Sequence, residues 1–226
     1  MKKFLLSIFI LAIISIQYAN AAIVDLSSEG EYQEYINKTG FKILNCNEIE
    51  NHIIFKYSKS ESIKELPNFD DMSVIIPKGV LPYIESEDEL AAIIAHNIAY
   101  CLIYRENKFA NIDIKIAPQK YKKFADKIAV DMLVKSGYSP IAIITMINKL
   151  YGDKKNKIFP KDMTTSIRLA EIYEYIVRKY PKKLQETPFC KNIYYQNFLL
   201  TSRNNRELLQ KQLLKNPSET KKQEYR

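Results

Sequence analysis

The sequence predicts an α+β fold that is mainly helical and carries a small antiparallel sheet. Two observations predict it: short β-rich runs lie before residue 77, and segments with apolar residues at helical spacing fill the chain after residue 86. With 226 residues, of which 46% are apolar, the chain is long enough for one domain with its own core.

The first 21 residues have the features of a secretory signal peptide. Lys2 and Lys3 form a positive n-region, residues 4–16 are an apolar run, and residues 19–21 read Ala-Asn-Ala, a small-x-small cleavage pattern. The apolar run is shorter than the ~20 residues that a membrane-spanning helix needs, so we expect cleavage and not retention as an anchor. No later stretch is apolar enough over that length, and we expect an exported mature protein, periplasmic or secreted, without stable membrane insertion.

The elements before residue 80 are expected to be short. Residues 29–38 are typical of a helix that ends at Gly40. The β-rich runs at residues 41–44, 52–57 and 73–76 are separated by polar segments and predict the antiparallel sheet.

The rest of the chain is predicted to be helical. Residues 86–89 (Ser-Glu-Asp-Glu) have the pattern of a capping box, which starts a helix that extends to about residue 104. Apolar residues lie on nearly every face of this helix, which predicts a central, buried position. Further helices are expected at residues 119–136, ended by Gly137, at residues 139–152, started by Ser139 and Pro140, at residues 162–180, and in shorter form at residues 190–200 and 207–214.

The formal charge of +8 does not indicate a nucleic-acid-binding protein. Residues 202–226 contain seven basic and three acidic side chains, so much of the charge belongs to what we expect to be a flexible C-terminal tail after a domain at residues 22–201. The three cysteines, Cys46, Cys101 and Cys190, form no paired metal-binding motif. Either a Cys46–Cys190 disulfide or three free thiols is compatible with an oxidising compartment.

Three blocks of sequence carry a family resemblance. Residues 75–81 and 86–96 resemble the stretch that leads into the HExxH helix of the zincin-type zinc metallopeptidases that include HtpX, BepA and the CAAX prenyl endopeptidase. Residues 125–131 and 135–140 are similar to the ExxxD helix and the following turn of that family, and residues 159–170 to its late His-Pro and Arg-Ile segment. The blocks occur in the family order, so the resemblance implies a zincin-like domain.

The HExxH motif itself is degenerate. In an intact motif, two histidines four residues apart on a helix bind Zn²⁺, and the glutamate between them activates the zinc-bound water. Here the five residues are His96-Asn97-Ile98-Ala99-Tyr100, so the resemblance implies one retained ligand position, His96. An amide at Asn97 cannot act as the general base, and the phenol of Tyr100 loses its proton only near pH 10.

Two more family positions differ. Lys122 stands where the resemblance expects a ligating glutamate, and Phe159 stands where it expects a late histidine. Asp126 matches the aspartate that supports a metal-binding histidine in the family, which implies a direct contact or a water bridge to His96. The chain has only two histidines, His52 and His96, so a site of three histidines is excluded.

The resemblance therefore implies a pseudopeptidase that binds a polypeptide or an envelope protein partner without cleaving it. No catalytic residue and no cofactor are expected, and His96 with Asp126 forms a residual binding pair. The alternative is an active zinc metalloendopeptidase with a rearranged ligand set that acts in envelope protein quality control. A third interpretation is a structural or host-directed secreted protein that reuses the fold.

The order of charge, apolar run and cleavage pattern predicts removal of residues 1–21 on export. Intact-mass measurement or N-terminal sequencing of the exported protein should find Ala22 as the first residue. A mature product that keeps Met1 and sediments with membranes would contradict this expectation.

Overall fold

The computed structural model describes residues 28–50, 52–63, 67–109, 118–151, 163–185 and 188–215. Their elements, in chain order, are α1 (Glu29–Cys46), β1 (Ile54–Ser58), β2 (Ser73–Pro77), a 3₁₀ helix (Lys78–Tyr83), α2 (Glu87–Phe109), α3 (Pro118–Lys135), α4 (Ala142–Tyr151), α5 (Met163–Lys179), α6 (Pro181–Gln185), a second 3₁₀ helix (Pro188–Lys191), α7 (Ile193–Thr201) and α8 (Arg203–Lys215). The prediction of a mainly helical protein with a small sheet is confirmed. The predicted signal peptide and Phe159 lie outside the described residues.

Helix α1 continues through Gly40, where the sequence predicted its end. The predicted strand at residues 41–44 is wrong, because these residues form the last part of α1 and bury Ile43 and Leu44 in the core. Gly40 is needed for packing and not for a helix stop: a Cβ atom there would lie 2.5 Å from Cζ of Phe55 on β1. Tertiary packing has therefore overridden the local β-propensity of this segment.

The sheet has two strands in its described part, and they run parallel, not antiparallel as predicted. Ile54 pairs with Ser73, and Ser58 pairs with Pro77. Parallel neighbours need a crossover of about a dozen residues or more, and residues 59–72 supply it. The prediction failed because the first of the three expected strands is helical, which leaves no hairpin partner for β1.

Helix α2 occupies the centre of the fold, as predicted. It packs against α1, β2, α3 and α4. Its residues Ile94, Ala95, Ile98, Ala99 and Cys101 have no solvent exposure. Small side chains alternate with branched ones along α2, which lets the neighbouring helices approach it closely.

The turn after α3 has the conformation that the sequence predicted. Gly137 has a φ of +79°, which favours glycine, and its N–H donates to the carbonyl of Val134. The next N–H, of Tyr138, donates to the carbonyl of Leu133, which completes a Schellman motif. Helix α4 then begins at Ala142, slightly later than predicted, because residues 139–141 form a turn.

The capping residues of α2 have a second role. The N–H of Glu89 donates to Oγ of Ser86 over 3.3 Å, as the capping box predicted. The Glu89 carboxylate reaches one residue further back than expected and accepts from the N–H of Glu85 at 2.7 Å. It is fully buried and also forms an ion pair of 2.7 Å with Lys149 on α4, whose side chain is 1% exposed. This pair fixes α2 against α4.

The expected flexible tail includes a helix that packs on the domain. Within α8, Asn205 donates to Oγ of Ser166 at 2.8 Å and Gln210 donates to Oε1 of Glu174 at 2.9 Å. The guanidinium of Arg206 lies 4.9 Å from the ring centre of Tyr173. The sequence analysis predicted a helix at residues 207–214 of this segment, and α8 is longer, at Arg203–Lys215. Its contacts with α5 use amides and one arginine.

All three cysteines are free thiols, so the structure contains no Cys46–Cys190 disulfide and agrees with the other alternative. Cys46 and Cys190 are exposed, whereas Cys101 is buried, and burial raises the pKa of the Cys101 thiol to about 12. None of the helices in the described part of the chain combines the length and apolar character that a bilayer crossing requires.

The contact between Gly40 and Phe55 predicts that Gly40→Ala destabilises the protein. Overpacking a core typically costs about 1–3 kcal/mol and the higher helix propensity of alanine offsets about 1 kcal/mol of it, so we expect the free energy of unfolding to fall by up to about 2 kcal/mol. Urea denaturation measures this loss. The control is Gly30→Ala on the same helix, where the nearest atom to an added Cβ is 3.9 Å away. Equal or higher stability of Gly40→Ala compared with Gly30→Ala would contradict the packing argument.

Candidate functional site

A cavity of about 340 Å³ lies between β2, the first 3₁₀ helix and the helices α2, α3, α4 and α5. Most of its walls are aliphatic, and its polar or aromatic lining comes from α2, α3, α4 and α5. Its volume falls in the range of about 300–1,000 Å³ that is typical of ligand pockets. The aliphatic lining residues are Ile63, Ile75, Pro77, Val80, Ala92, Ile93, Ile143, Met146, Ile147 and Leu150, and the others are His96, Asn97, Tyr100, Lys122, Tyr151 and Arg168.

The structure brings together the site residues that the sequence analysis singled out, except Phe159, which is not among the described residues. His96, Asn97, Tyr100 and Lys122 all line this cavity. His96 and Tyr100 are one helical turn apart on α2, and their rings are stacked at 15° with centroids 6.2 Å apart.

Asp126 lies behind His96, as predicted, and is almost completely buried. Its Oδ1 is 2.9 Å from Nδ1 of His96, although the two groups are not aligned as a hydrogen bond. Arg168 on α5 holds the same carboxylate with a two-point fork: Nε donates to Oδ2 at 2.6 Å and Nη2 donates to Oδ1 at 2.7 Å. One carboxylate therefore connects α2, α3 and α5.

The charge of Asp126 is stabilised by its partners. Burial alone would raise the pKa of this carboxyl group, but the Arg168 guanidinium, and to a smaller extent His96, outweigh burial and lower the pKa to about 2. Burial opposes the positive charge of Arg168 too, but Asp126 reverses that effect and the pKa of Arg168 is raised. Asp126 and Arg168 are thus a charged pair at neutral pH.

Arg168 is the site residue to which the sequence analysis gave no role. It belongs to the third block of the family resemblance, but that block suggested no partner for it. A further signal was available: Arg168 precedes Ile172 by four residues, so it lies on the face of α5 that carries core residues. An arginine on an apolar face needs a buried anion, although the sequence alone does not identify which acidic residue supplies it.

The described residues do not fit a catalytic zinc ion. Such a site uses three protein ligands and a water molecule, and the described residues contain no group of three or more His, Cys, Asp or Glu side chains that could hold a metal. Both oxygens of Asp126 are engaged by Arg168. Burial raises the pKa of Tyr100 and so disfavours its phenolate, and the ammonium-bearing Lys122 lines the same cavity.

Comparisons of the chain with protein-family models, with curated proteins and with solved structures give no match. The residues of the cavity are therefore the basis for a functional proposal.

The buried pair predicts that Asp126→Asn destabilises the protein in a pH-dependent way. Removing one partner of a buried ion pair costs about 3–5 kcal/mol, because Arg168 is left without its anion. The folded pKa of Asp126 is about 2 and therefore below the ordinary value, so its stabilising contribution is present at neutral pH and is lost as the pH falls toward 2. Urea denaturation of both proteins from pH 7 downward should show their stability difference shrinking below pH 4.

The control for this prediction is Glu171→Gln, also a neutralised carboxylate. Glu171 lies on α5 and pairs with Lys123 at 2.8 Å, but both side chains are partly exposed. Exposed pairs contribute about 0–1 kcal/mol, so the effect at neutral pH should be small. If Asp126→Asn were no more destabilising than Glu171→Gln, Asp126 would not hold the three helices together.

Proposed function

We propose that this chain is an exported, non-catalytic relative of the zincin-type metallopeptidases and that it binds polypeptide in the cavity beside His96. The observation that supports the proposal is that Arg168 donates to both carboxylate oxygens of Asp126 behind an aliphatic cavity. In this arrangement the carboxylate that the family resemblance assigns to metal support serves instead to neutralise an arginine.

The chemistry of the lining supports binding and not hydrolysis. Among the described residues that line the cavity there is no serine, threonine, cysteine, aspartate or glutamate. A serine, threonine or cysteine nucleophile and a carboxylate base are therefore both missing from this described lining, and the amide of Asn97 cannot take a proton from water near neutral pH. Loss of a general base alone lowers a rate by about 10²–10⁴-fold.

The aliphatic walls supply an affinity for apolar side chains. Burying apolar surface contributes roughly 25 cal/mol per Å², and ten aliphatic side chains surround this cavity. Unfolded or incompletely folded polypeptides expose such side chains. By analogy with the family resemblance, the proposed context is protein quality control in the cell envelope.

The experiment compares the wild-type protein with the triple variant Asn97→Glu, Tyr100→His, Lys122→Glu, which restores the residues of the family motif. We expect wild-type protein to lack stoichiometric zinc and to leave casein uncleaved, and zinc to be recovered only in the triple variant. Metal analysis and a casein-cleavage assay measure both. Stoichiometric zinc with chelator-sensitive cleavage in the wild type would overturn the proposal in favour of the active-peptidase alternative.

Binding is tested separately with fluorescent, unfolded casein in the presence of a chelator. We expect saturable binding that Ile93→Asp weakens by about tenfold or more, because the variant places a carboxylate on an aliphatic wall. The control is Leu208→Asp on α8, since Leu208 is 58% exposed and does not line the cavity. Equal casein binding by wild type and Ile93→Asp would show that the cavity is not the binding site.

A further inference from the structure

We infer that helices α7 and α8 bind the surface of a bilayer that contains anionic phospholipid, with leucines in the headgroup region and lysines beside the lipid phosphates. This inference goes beyond the proposed function, since neither helix contributes to the described lining of the cavity. The argument begins with the distribution of charge. Residues 178–215 contain nine basic and two acidic side chains, whereas residues 28–109 contain fourteen acidic and eight basic ones. An anionic partner is therefore attracted to the C-terminal helices.

Exposed apolar side chains concentrate in the same basic part of the chain. Among the described residues, six large hydrophobic side chains are exposed, and four of them belong to α7 and α8. Leu200 and Leu214 are 76% and 80% exposed, and the other two are Ile193 and Leu208. A single exposed leucine is ordinary, but a group of them indicates contact with a membrane or with another protein.

The outer face of α8 combines both kinds of side chain. Arg206 and Gln210, which contact α5, mark the inner face. Leu208 follows Arg206 by two residues, which is about 200° around the helix, and therefore points away from α5. Lys211 and Lys215 follow Leu208 by three and seven residues, so all three share this outer face. Neither lysine is within ion-pair distance of a carboxylate among the described residues.

A lipid surface fits this combination better than a second copy of the chain does. The acidic part of a second copy would attract the lysines, but its described residues expose one large hydrophobic side chain, Phe41, to cover the leucines. A nucleic acid would likewise satisfy the lysines alone, through its phosphates. The interface of an anionic bilayer offers phosphates and acyl chains side by side, so lysines and leucines on one helix face both gain favourable contacts there.

The experiment measures cosedimentation of the exported protein with vesicles of phosphatidylcholine alone or of an equimolar mixture of phosphatidylcholine and phosphatidylglycerol. We expect partitioning into the anionic vesicles to be stronger by on the order of tenfold or more, because each basic residue near an anionic surface contributes about fivefold. Added salt should reduce this preference, since it screens the attraction between exposed charges and the surface.

Variants assign the preference to the outer face of α8. The double variant Lys211→Gln, Lys215→Gln should weaken binding to the anionic vesicles by on the order of tenfold or more. The matched control is Lys59→Gln, Lys78→Gln, which removes the same net charge from two exposed lysines of the acidic part and should leave binding nearly unchanged. Leu208→Ser should weaken binding several-fold without any change of charge. All these side chains are exposed, so the midpoint of thermal unfolding should stay close to that of the wild type.

Each result has a defined meaning. Preferential binding to anionic vesicles that the α8 variants weaken and the lysine control does not supports the inference. Equal binding to the two kinds of vesicle, or equal losses in the two double lysine variants, overturns it. Full binding by Leu208→Ser also overturns it, because the contact would then be adsorption by charge alone. Sedimentation velocity tests the other occupant: self-association without vesicle binding, abolished by the α8 lysine variant, overturns the inference in favour of a contact between copies.

Discussion

A carboxylate that is removed from water must be neutralised where it is buried, and Asp126 imposes this constraint on three helices at once. Arg168 from α5 takes both carboxylate oxygens, and His96 from α2 approaches one of them. This charged contact therefore ties α5 to α3, together with the hydrogen bonds that Tyr175 and Lys179 donate to Asp131. The same contact decides which way His96 faces, and so it also determines the polar end of the cavity.

The buried pair separates two roles that a metallopeptidase-like site would combine. An aspartate that supports a metal ligand must keep its negative charge available to that ligand, whereas the carboxylate of Asp126 forms an ion pair with the guanidinium of Arg168. The consequence extends to the cavity. The described cavity lining contains no aspartate or glutamate, and most of it is aliphatic.

The sequence predicted best where the signal is local or strongly periodic. The central position of α2, the Ser86 cap and the stop at Gly137 follow from short spacings in the sequence. The approach of Asp126 to His96 was implied by the family resemblance. The sequence prediction failed where tertiary contacts determine the structure. Residues 41–44 are helical, and Gly40 lets α1 pack against Phe55. The strands are parallel because the chain crosses over between β1 and β2. The role of Arg168 was missed because it exists only when α5 meets α3. The helix at α8 was predicted in shorter form, but its contacts with α5 were not, because they are polar.

The Glu89–Lys149 pair has a consequence for the dynamics of the cavity. Lys149 also donates to the carbonyl of Tyr83 at 3.1 Å, so one ammonium connects α2, α4 and the first 3₁₀ helix. These three elements carry much of the cavity wall. Separating α2 from α4 would leave the buried Glu89 carboxylate without its ammonium partner, which makes that motion costly. The ion pair therefore holds the part of the wall that α2 and α4 form in one arrangement, and such preorganisation lowers the entropy cost of binding a ligand against it.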